Sequence, residues 1–199
     1  MILASRNGHK LRELSEILPG AGLQPLPDEI EMPPEDGESF AANALIKARA
    51  AHLATGEAVV ADDSGIEIDG LGGRPGVRSA RYAGESATDD ENLRKALNEL
   101  AGSGGPSTAR YVCVIAWIDE EGNESTFEGT CEGNLVQEPR GTGGFGYDPA
   151  FVPDDTGTED SRTMAELSAS EKHSISHRGR AARAMAAELE RRAAGRRDD

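Results

Sequence analysis

The chain has 199 residues and a formal net charge of −15, because 36 acidic side chains stand against 21 basic ones. This length suits one domain with a substantial core. The negative charge argues against non-specific binding to nucleic acid or anionic membranes, although a locally basic cleft for a phosphate ligand is compatible with it. Cys113 and Cys131 belong to no CxxC or Cys/His cluster, so we expect isolated buried thiols rather than a zinc site or a disulfide.

The first residues predict a strand followed by a helix. Met1–Ala4 is an apolar run of strand type that is too short for a signal peptide. Leu11, Leu14 and Leu18 recur at helical spacing, with Asn7 as a plausible N-cap before them. No stretch of the sequence approaches the roughly 20 apolar residues that span a bilayer. We therefore expect a cytoplasmic location and no membrane partner.

The next hundred residues alternate between helices and strands. Residues 24–38 form an acidic, proline-rich connector, which we expect to be irregular. A second helix is predicted from Ser39 to about Gly56, where glycine ends it. Residues 57–62 predict a strand, and a separate strand is expected after Gly65. The intervening Asp-Asp-Ser-Gly would then lie in a loop at the end of a strand.

The second half carries further local signals. A capping box at Thr88 predicts a third helix, and another at Thr163 predicts a short one. Segments 108–119 and 124–132, joined by a Glu-Gly-Asn turn, predict a β-hairpin. Residues 174–178 are expected to be a polar link into a C-terminal helix. This mixture of elements predicts an α/β fold with a mixed sheet and no internal repeat.

Paired acids after an apolar run suggest a metal site. Asp62 and Asp63 follow directly on a strand-type segment, and two neighbouring carboxylates are costly to bury without a cation. A divalent metal at the carboxyl end of a strand explains them, with Glu35 as a further oxygen ligand. The alternatives are an exposed turn for the pair and a solvated acidic run for Glu35.

The loop over residues 5–10 suggests an anion site. It opens a helix, so it presents backbone N–H groups at the positive end of the helix dipole, and Lys10 adds a charge. Its spacing differs from that of a Walker A loop. An ordinary capped surface helix is the alternative interpretation.

A glycine-rich loop near the end of the chain suggests a base-binding platform. Residues 141–148 contain four glycines, which permit close approach of a ligand, and two aromatic side chains that could stack on a base. The alternative is that Phe145 fills the core. Three cations further on could donate hydrogen bonds to an oxidised base, or could form a solvent-facing basic patch; they are Lys172, His177 and Arg178.

Together these segments resemble the inosine triphosphate pyrophosphatase family, the XTP/dITP diphosphatases that remove non-canonical purine nucleotides. The matching motifs occur in order along the chain: Ser-Arg-Asn-Gly-His-Lys at 5–10, Glu35 with Ser39–Ala44 and Lys47, Ala-Asp-Asp-Ser-Gly at 61–65, Leu-Gly-Gly-Arg-Pro-Gly-Val at 71–77, Ser79–Gly84, Gly-Thr-Gly-Gly-Phe-Gly-Tyr-Asp-Pro at 141–149, Met164–Leu167, Lys172 and Ser176–Arg178. Arg6 stands where relatives usually have a small residue. It could reshape the phosphate loop or point outward.

The resemblance implies a fold and an activity. The fold would be an elongated central mixed β-sheet with flanking helices, forming two lobes around a substrate cleft within one domain over residues 1–199, commonly as a homodimer. The activity would be Mg²⁺-dependent hydrolysis of ITP, dITP and XTP to the monophosphate and pyrophosphate. The partner would be a small nucleotide and not nucleic acid.

The resemblance also implies roles for individual residues. Asp63 would be the catalytic base and a metal ligand with Glu35, and Asp62 would be a further metal ligand or lie just outside the metal's ligand shell. The implied substrate-binding residues are Ser5, Arg6, Asn7, Gly8, His9, Lys10, Asn43, Lys47, Ser64, Phe145, Gly146, Tyr147, Asp148, Lys172, His177 and Arg178. Two other hypotheses stay open: a related pyrophosphatase with another base preference, and a nucleotide-binding module that does not hydrolyse its ligand.

Overall fold

The computed structural model describes residues 1–157 and 159–195. Its six strands form one sheet in the order β2-β1-β3-β4-β5-β6, with bounds β1 Ile2–Leu3, β2 Gln24–Pro25, β3 Val59–Ile68, β4 Thr108–Ile118, β5 Glu124–Leu135 and β6 Phe151–Pro153. The α-helices are α1 Gly8–Ile17, α2 Phe40–Thr55, α3 Asp89–Ser103, α4 Ala169–Ile175 and α5 His177–Gly195. Short 3₁₀ helices cover Asp69–Leu71, Gly76–Arg81, Asp154–Thr156 and Met164–Glu166.

The sheet contains both strand orientations. β1 is parallel to both of its neighbours, with Ile2 opposite Gln24 and Val59. β5 and β6 are antiparallel, with Gly133 opposite Pro153. The predicted α/β class with a mixed sheet and flanking helices is therefore confirmed. The predicted cleft between two lobes stays a prediction.

The chain divides into two compact units, which we call unit 1 and unit 2. Unit 1 contains residues 1–63, 113–129 and 177–195, and unit 2 contains residues 64–112, 130–157 and 159–176. Each unit has a hydrophobic core of its own.

Unit 1 has helices packed against both faces of its strands. Val59 and Ala61 of β3 pack with α2 on one face, whereas Val60 packs with α1 and α5 on the other. This division follows from the strand itself, because successive side chains point to opposite faces. In unit 2, the β3 side chains Ile66 and Ile68 pack in the same cluster as the apolar stripe of α3.

One prediction about the strands is wrong. β3 is a single strand over Val59–Ile68, so the Asp-Asp-Ser-Gly segment lies within it rather than in a loop at a strand end. The acidic pair does not end the strand because each carboxylate finds cationic or amide partners on its own face. The amide of Ile66 is satisfied by the hydroxyl of Ser79 at 2.9 Å, so the strand continues without an orphan donor.

Most other local predictions are confirmed. The helices at α1, α2 and α3 form where the leucine stripe, Ser39 and Thr88 indicate, and the hairpin of β4 and β5 is present. The predicted polar link at 174–178 is wrong, because a capping box at Ser168 starts the additional helix α4 and α5 already begins at His177. The connector also contributes the short strand β2, which the sequence analysis missed.

The two cysteines are isolated thiols. Cys113 and Cys131 are buried and unbonded to each other, as predicted. Burial raises the pKa of Cys113 to about 12, so its thiol is protonated at neutral pH.

No helix within residues 1–157 and 159–195 is long and apolar enough to cross a membrane.

Gly129 of β5 allows close approach of α5, and its replacement tests that packing. A Cβ at this position would lie 2.3 Å from the carbonyl oxygen of His177 and 2.5 Å from the amide nitrogen of Ala181. Because these are backbone atoms, no rotamer change relieves the clash. Gly129→Ala should lower the free energy of unfolding by about 1–3 kcal/mol in urea denaturation.

Gly102→Ala is the matched control, because a Cβ there meets nothing within 4 Å. Gly102 lies in α3, so alanine should leave stability unchanged or raise it by up to about 1 kcal/mol. Equal stability of Gly129→Ala and the wild-type protein would contradict the packing of α5 against β5.

Candidate active site

The two adjacent acids of β3 belong to different faces of the strand. Asp62 and Asp63 are both buried, with 0% and 6% exposure, and Asp62 contacts Lys10 and Arg178 whereas Asp63 contacts Lys47. Asp63 points to the face covered by α2, and Asp62 points to the face covered by α1 and α5. Alternation along the strand therefore separates two carboxylates that are neighbours in sequence.

Asp63 lies in a cluster with residues of α2 and the connector. Asn43 donates a hydrogen bond through Nδ2 to Asp63 Oδ2 at 3.0 Å, and Lys47 Nζ lies 3.8 Å from Asp63 Oδ1. The same Lys47 ammonium is 2.9 Å from Glu35 Oε1. Asn43 also accepts a hydrogen bond from the amide of Gly37 at 2.8 Å, which anchors the connector beside the cluster.

The surroundings raise the pKa of Asp63. Burial is the largest cause, and the negative charge of Glu35 adds to it, whereas Lys47 and Asn43 act in the opposite direction. A carboxylate with a raised pKa holds a proton more readily than an ordinary aspartate. This property suits a group that must accept a proton from water.

Asp62 lies in a buried network of alternating charges. Its Oδ2 is 3.0 Å from Lys10 Nζ of α1 and 3.2 Å from both Nε and Nη2 of Arg178 at the start of α5. Arg178 also contacts Glu13 of α1. Burial opposes ionisation of Asp62, but Lys10, Arg178 and Lys47 outweigh it and hold the pKa of this carboxyl far below its usual range.

Asp62 consequently acts as a fixed anion for two cations. Its second oxygen, Oδ1, is buried and has no hydrogen-bond partner in the described part of the chain. Because Lys10 is held by Asp62, its ammonium is fixed at the first turn of α1. The predicted role of Asp62 as a metal ligand stays a prediction.

The predicted anion loop leads directly into α1. The chain leaves β1 at Leu3, and the helix starts at Gly8, with the hydroxyl of Ser5 accepting a hydrogen bond from the amide of Asn7 at 3.2 Å. The amides of the first helical turn and Lys10 are thus close in sequence and structure, as an anion site requires. The side chain of His9 lies outside the described part of the structure.

Unit 2 has a polar cluster of its own around Asp148. Its carboxylate accepts hydrogen bonds from Tyr111 Oη at 3.0 Å, from Lys172 Nζ at 2.8 Å and from the amide of Phe145 at 3.0 Å. Lys172 Nζ also lies 5.2 Å from the centroid of the Phe145 ring. Asp148 therefore fixes both a lysine and an aromatic side chain of the glycine-rich loop.

A glycine is required where this loop passes Asp148. Gly144 has a φ of +73°, and a Cβ there would lie 2.0 Å from Asp148 Oδ2. Tyr147 is buried, and its hydroxyl donates to the carbonyl oxygen of Ser79 at 2.9 Å. Gly146 donates its amide to Asp89 at 3.0 Å. The loop is thus held by hydrogen bonds of Gly146 and Tyr147, directly after Phe145.

The carboxylates of unit 1 fit a divalent cation. Glu35 and Asp63 both reach one ammonium group, so their oxygens converge on a point where positive charge is favourable. No group of three or more potential metal-ligating side chains occurs within residues 1–157 and 159–195. Two carboxylates are enough for Mg²⁺, which is usually held by one or two carboxylates together with water and substrate phosphates.

Comparison with known proteins assigns the family. The model of the Ham1 family matches residues 1–188. The chain belongs to the Ham1 family. The resemblance that the motifs predict is confirmed, since a protein named dITP/XTP pyrophosphatase from Symbiobacterium thermophilum is 47% identical over 185 residues, or 91% of this chain and 90% of its own length.

Two further relatives of the Ham1 family match over nearly the whole chain. A dITP/XTP pyrophosphatase of Bacillus subtilis is 44% identical over 198 residues, covering 95% of this chain and 96% of its own. The structure of a HAM1 protein from Coxiella burnetii superposes with a TM-score of 0.86 at 40% identity, covering 96% of this chain and 98% of that one. The fold described above is therefore the Ham1 fold.

The structure groups the predicted site residues of this Ham1 protein into three sets. Unit 1 brings together Glu35, Asn43, Lys47 and Asp63 on one face, and Lys10, Asp62 and Arg178 on the other. Unit 2 brings together Phe145, Asp148 and Lys172. Ser64 follows Asp63 in β3 and is half-buried, and His177 is buried at the start of α5.

Two contributors were missed by the sequence analysis. Glu13 binds Arg178, and its position three residues after Lys10 on one helix face was a usable signal. Tyr111 binds Asp148 across 37 positions of sequence, for which the sequence offers no local signal. Arg178 was predicted to contact a base, and the structure places its guanidinium against Asp62 and Glu13.

Replacing the two neighbouring acids should have different effects on the free energy of unfolding. Asp62→Asn removes the anion of Lys10 and leaves Arg178 with Glu13 alone, which should lower the free energy of unfolding by about 3–5 kcal/mol at pH 7. Asp63→Asn should leave it unchanged or raise it, because the raised pKa means that ionised Asp63 opposes folding. Urea denaturation with EDTA present measures both.

The dependence of the free energy of unfolding on pH is the control for these two substitutions. The folded-state pKa of Asp63 lies above its unfolded value, so its ionisation costs stability as pH rises through that window. Any excess in the free energy of unfolding of Asp63→Asn over that of the wild-type protein should therefore become smaller as the pH falls through the raised pKa of Asp63. An Asp63→Asn protein much less stable than wild type at pH 7 would contradict the described environment.

Proposed function

We propose that this protein hydrolyses non-canonical purine nucleoside triphosphates, namely dITP, XTP and ITP, to the monophosphate and pyrophosphate. The observation that carries the proposal is whole-length similarity to proteins named dITP/XTP pyrophosphatase, at 47% and 44% identity. The clustered carboxylates and lysines of unit 1 supply groups that such a reaction needs. This activity would remove aberrant nucleotides from the pool available for nucleic-acid synthesis.

In the proposed reaction, a water molecule attacks the α-phosphorus. Its oxygen forms the new P–O bond while the bond from the α-phosphorus to the bridging oxygen breaks, and pyrophosphate leaves. Asp63 accepts the proton of the water, for which its raised pKa is suitable. Asn43 orients the carboxylate through the 3.0 Å hydrogen bond. No covalent enzyme intermediate is required.

The phosphates would be bound by cations and amides of unit 1. Lys10 is fixed at the first turn of α1 by Asp62, and the helix N-terminus adds backbone donors. Lys47 lies between Glu35 and Asp63. We propose that these two carboxylates hold Mg²⁺, which would neutralise phosphate charge and favour departure of pyrophosphate.

The base would be recognised by residues of unit 2. Lys172 donates to Asp148 at 2.8 Å and lies against the ring of Phe145, and an ammonium group is a donor only. Such a donor suits the 6-oxo oxygen of hypoxanthine or xanthine. Adenine offers an amine there and would leave the donor unpaired, which can cost a factor of about 10⁴ in favourable cases.

Three further features belong to the same proposal. The whole chain would act as one pyrophosphatase domain, because the family match extends over residues 1–188. A homodimer is proposed because isologous dimers are the commonest assemblies of such enzymes. A cytoplasmic location is proposed because the nucleotide pool that it would cleanse lies there.

The test is a product assay with magnesium and, separately, dITP, XTP, ITP, GTP, ATP and dUTP. The expected result is pyrophosphate from the first three and little from the others, with Asp63→Asn inactive although folded. Cleavage chiefly of dUTP or GTP would favour the related pyrophosphatase with another base preference. Tight binding of ITP without pyrophosphate release would favour the module that does not hydrolyse its ligand.

Asp148→Asn tests the proposed recognition of the base. The substitution removes the charge that holds Lys172, so KM for dITP should rise by roughly tenfold to a hundredfold, the equivalent of about 1.4–2.8 kcal/mol. The preference for dITP over dATP should fall in parallel, because orientation of the donor is lost. Steady-state kinetics with both nucleotides measure the effect.

Asp154→Asn is the matched control for this substitution, because Asp154 is an exposed aspartate of the same unit. It should leave both kinetic constants near the wild-type values. An Asp148→Asn enzyme with unchanged selectivity would contradict the proposed role of Lys172.

A further inference from the structure

One arginine of the anion loop is bound entirely to the connector. Arg6 Nη1 donates to the carbonyl oxygen of Leu26 at 3.0 Å, and Nη2 donates to those of Pro27 at 2.9 Å, Asp28 at 3.1 Å and Ile30 at 2.7 Å. Nη1 also lies 3.2 Å from the Asp28 carboxylate. A single guanidinium thus joins four carbonyl groups of one short segment.

This arrangement depends on the shape of the guanidinium. Carbonyl oxygens only accept hydrogen bonds, and arginine presents five N–H donors in a rigid planar fork. A lysine at this position has all its donors on one atom, so it cannot reach the acceptors of both Nη1 and Nη2 equally well. The Arg6 side chain is therefore committed to residues 26–30, whereas its backbone stays in the loop that precedes α1.

The segment that Arg6 holds leads directly to Glu35. Only a few residues separate Ile30 from Gly37, whose amide is bound by Asn43 at 2.8 Å. Pro33 and Pro34 restrict the backbone between these two anchors. A stiff segment fixed at both ends leaves little freedom for the carboxylate that lies between them.

We propose that Arg6 is a positioning residue, which holds the connector at residues 26–30 and thereby places Glu35 beside Lys47 and Asp63. The inference rests on the proposed function, in which Glu35 and Asp63 hold the metal ion. Arg6 would act through Glu35 and not by contact with the nucleotide. It would also couple the loop that binds phosphate to the segment that binds metal.

The experiment compares Arg6→Ala with the wild-type protein in two measurements. Amide hydrogen exchange of the metal-free protein should accelerate about tenfold in peptides covering residues 24–36 and stay unchanged in unit 2, because only the local anchor is lost. In the dITP assay, the Mg²⁺ concentration for half-maximal rate should rise about tenfold, while kcat at saturating Mg²⁺ stays within about threefold.

Two further variants sharpen the comparison. Asp28→Ala removes the exposed carboxylate and keeps all four carbonyl acceptors, so both measurements should resemble the wild type. Arg6→Lys should give intermediate values, since it keeps the charge and only part of the hydrogen bonding. A graded series of exchange rates and Mg²⁺ requirements would distinguish a positioning role of Arg6 from a general loss of stability.

Two results would overturn the proposal. Unchanged exchange over residues 24–36 in Arg6→Ala would show that the guanidinium does not hold the connector. A fall in kcat with an unchanged Mg²⁺ requirement would show that Arg6 acts on the nucleotide and not through Glu35. A wild-type protein without pyrophosphatase activity would contradict the proposed function, and the exchange measurement would still decide whether Arg6 anchors the connector.

Discussion

The alternation of side chains along β3 is the constraint on which the chemistry of unit 1 depends. Because Asp62 and Asp63 are consecutive in an extended strand, they leave it on opposite faces and meet different partners. One face supplies two cations, so its carboxylate stays ionised. On the other face, burial and the second carboxylate, Glu35, outweigh Lys47 and Asn43, so the pKa of Asp63 is raised. Two identical side chains thereby obtain distinct properties from one backbone geometry.

The two carboxylates of β3 differ in their effect on stability. The network of Glu13, Arg178, Asp62 and Lys10 balances two negative with two positive charges, so their mutual attraction offsets the cost of desolvating each one. It also fixes the start of α5 against α1, beside Lys10. Lys47 and Asn43 compensate the charge of Asp63 only in part, since burial and Glu35 outweigh them. Such a loss of stability from a buried, ionised side chain is typical of groups that are retained for catalysis.

The features that could be predicted from the sequence are those that depend on a few neighbouring residues. The leucine stripe of α1, the N-cap at Ser39 and the capping box at Thr88 act over a few residues, and each helix forms where its signal lies. The placement of the acids within β3 was not predictable in this way, because Arg178 is 116 positions from Asp62. The acceptors of Arg6 are backbone carbonyls, which leave no trace in residue type. Helix α4 did have a signal, the capping box at Ser168, which the analysis overlooked.

The most direct test of this account is a titration of the two carboxyl groups by ¹³C NMR in the metal-free protein, with Asp62→Asn and Asp63→Asn used for assignment. We expect Asp63 to titrate above the ordinary range of an aspartate, whereas Asp62 should stay ionised at pH values well below that range. Titration of both groups near the ordinary value would contradict the claim that β3 places them in opposite electrostatic environments.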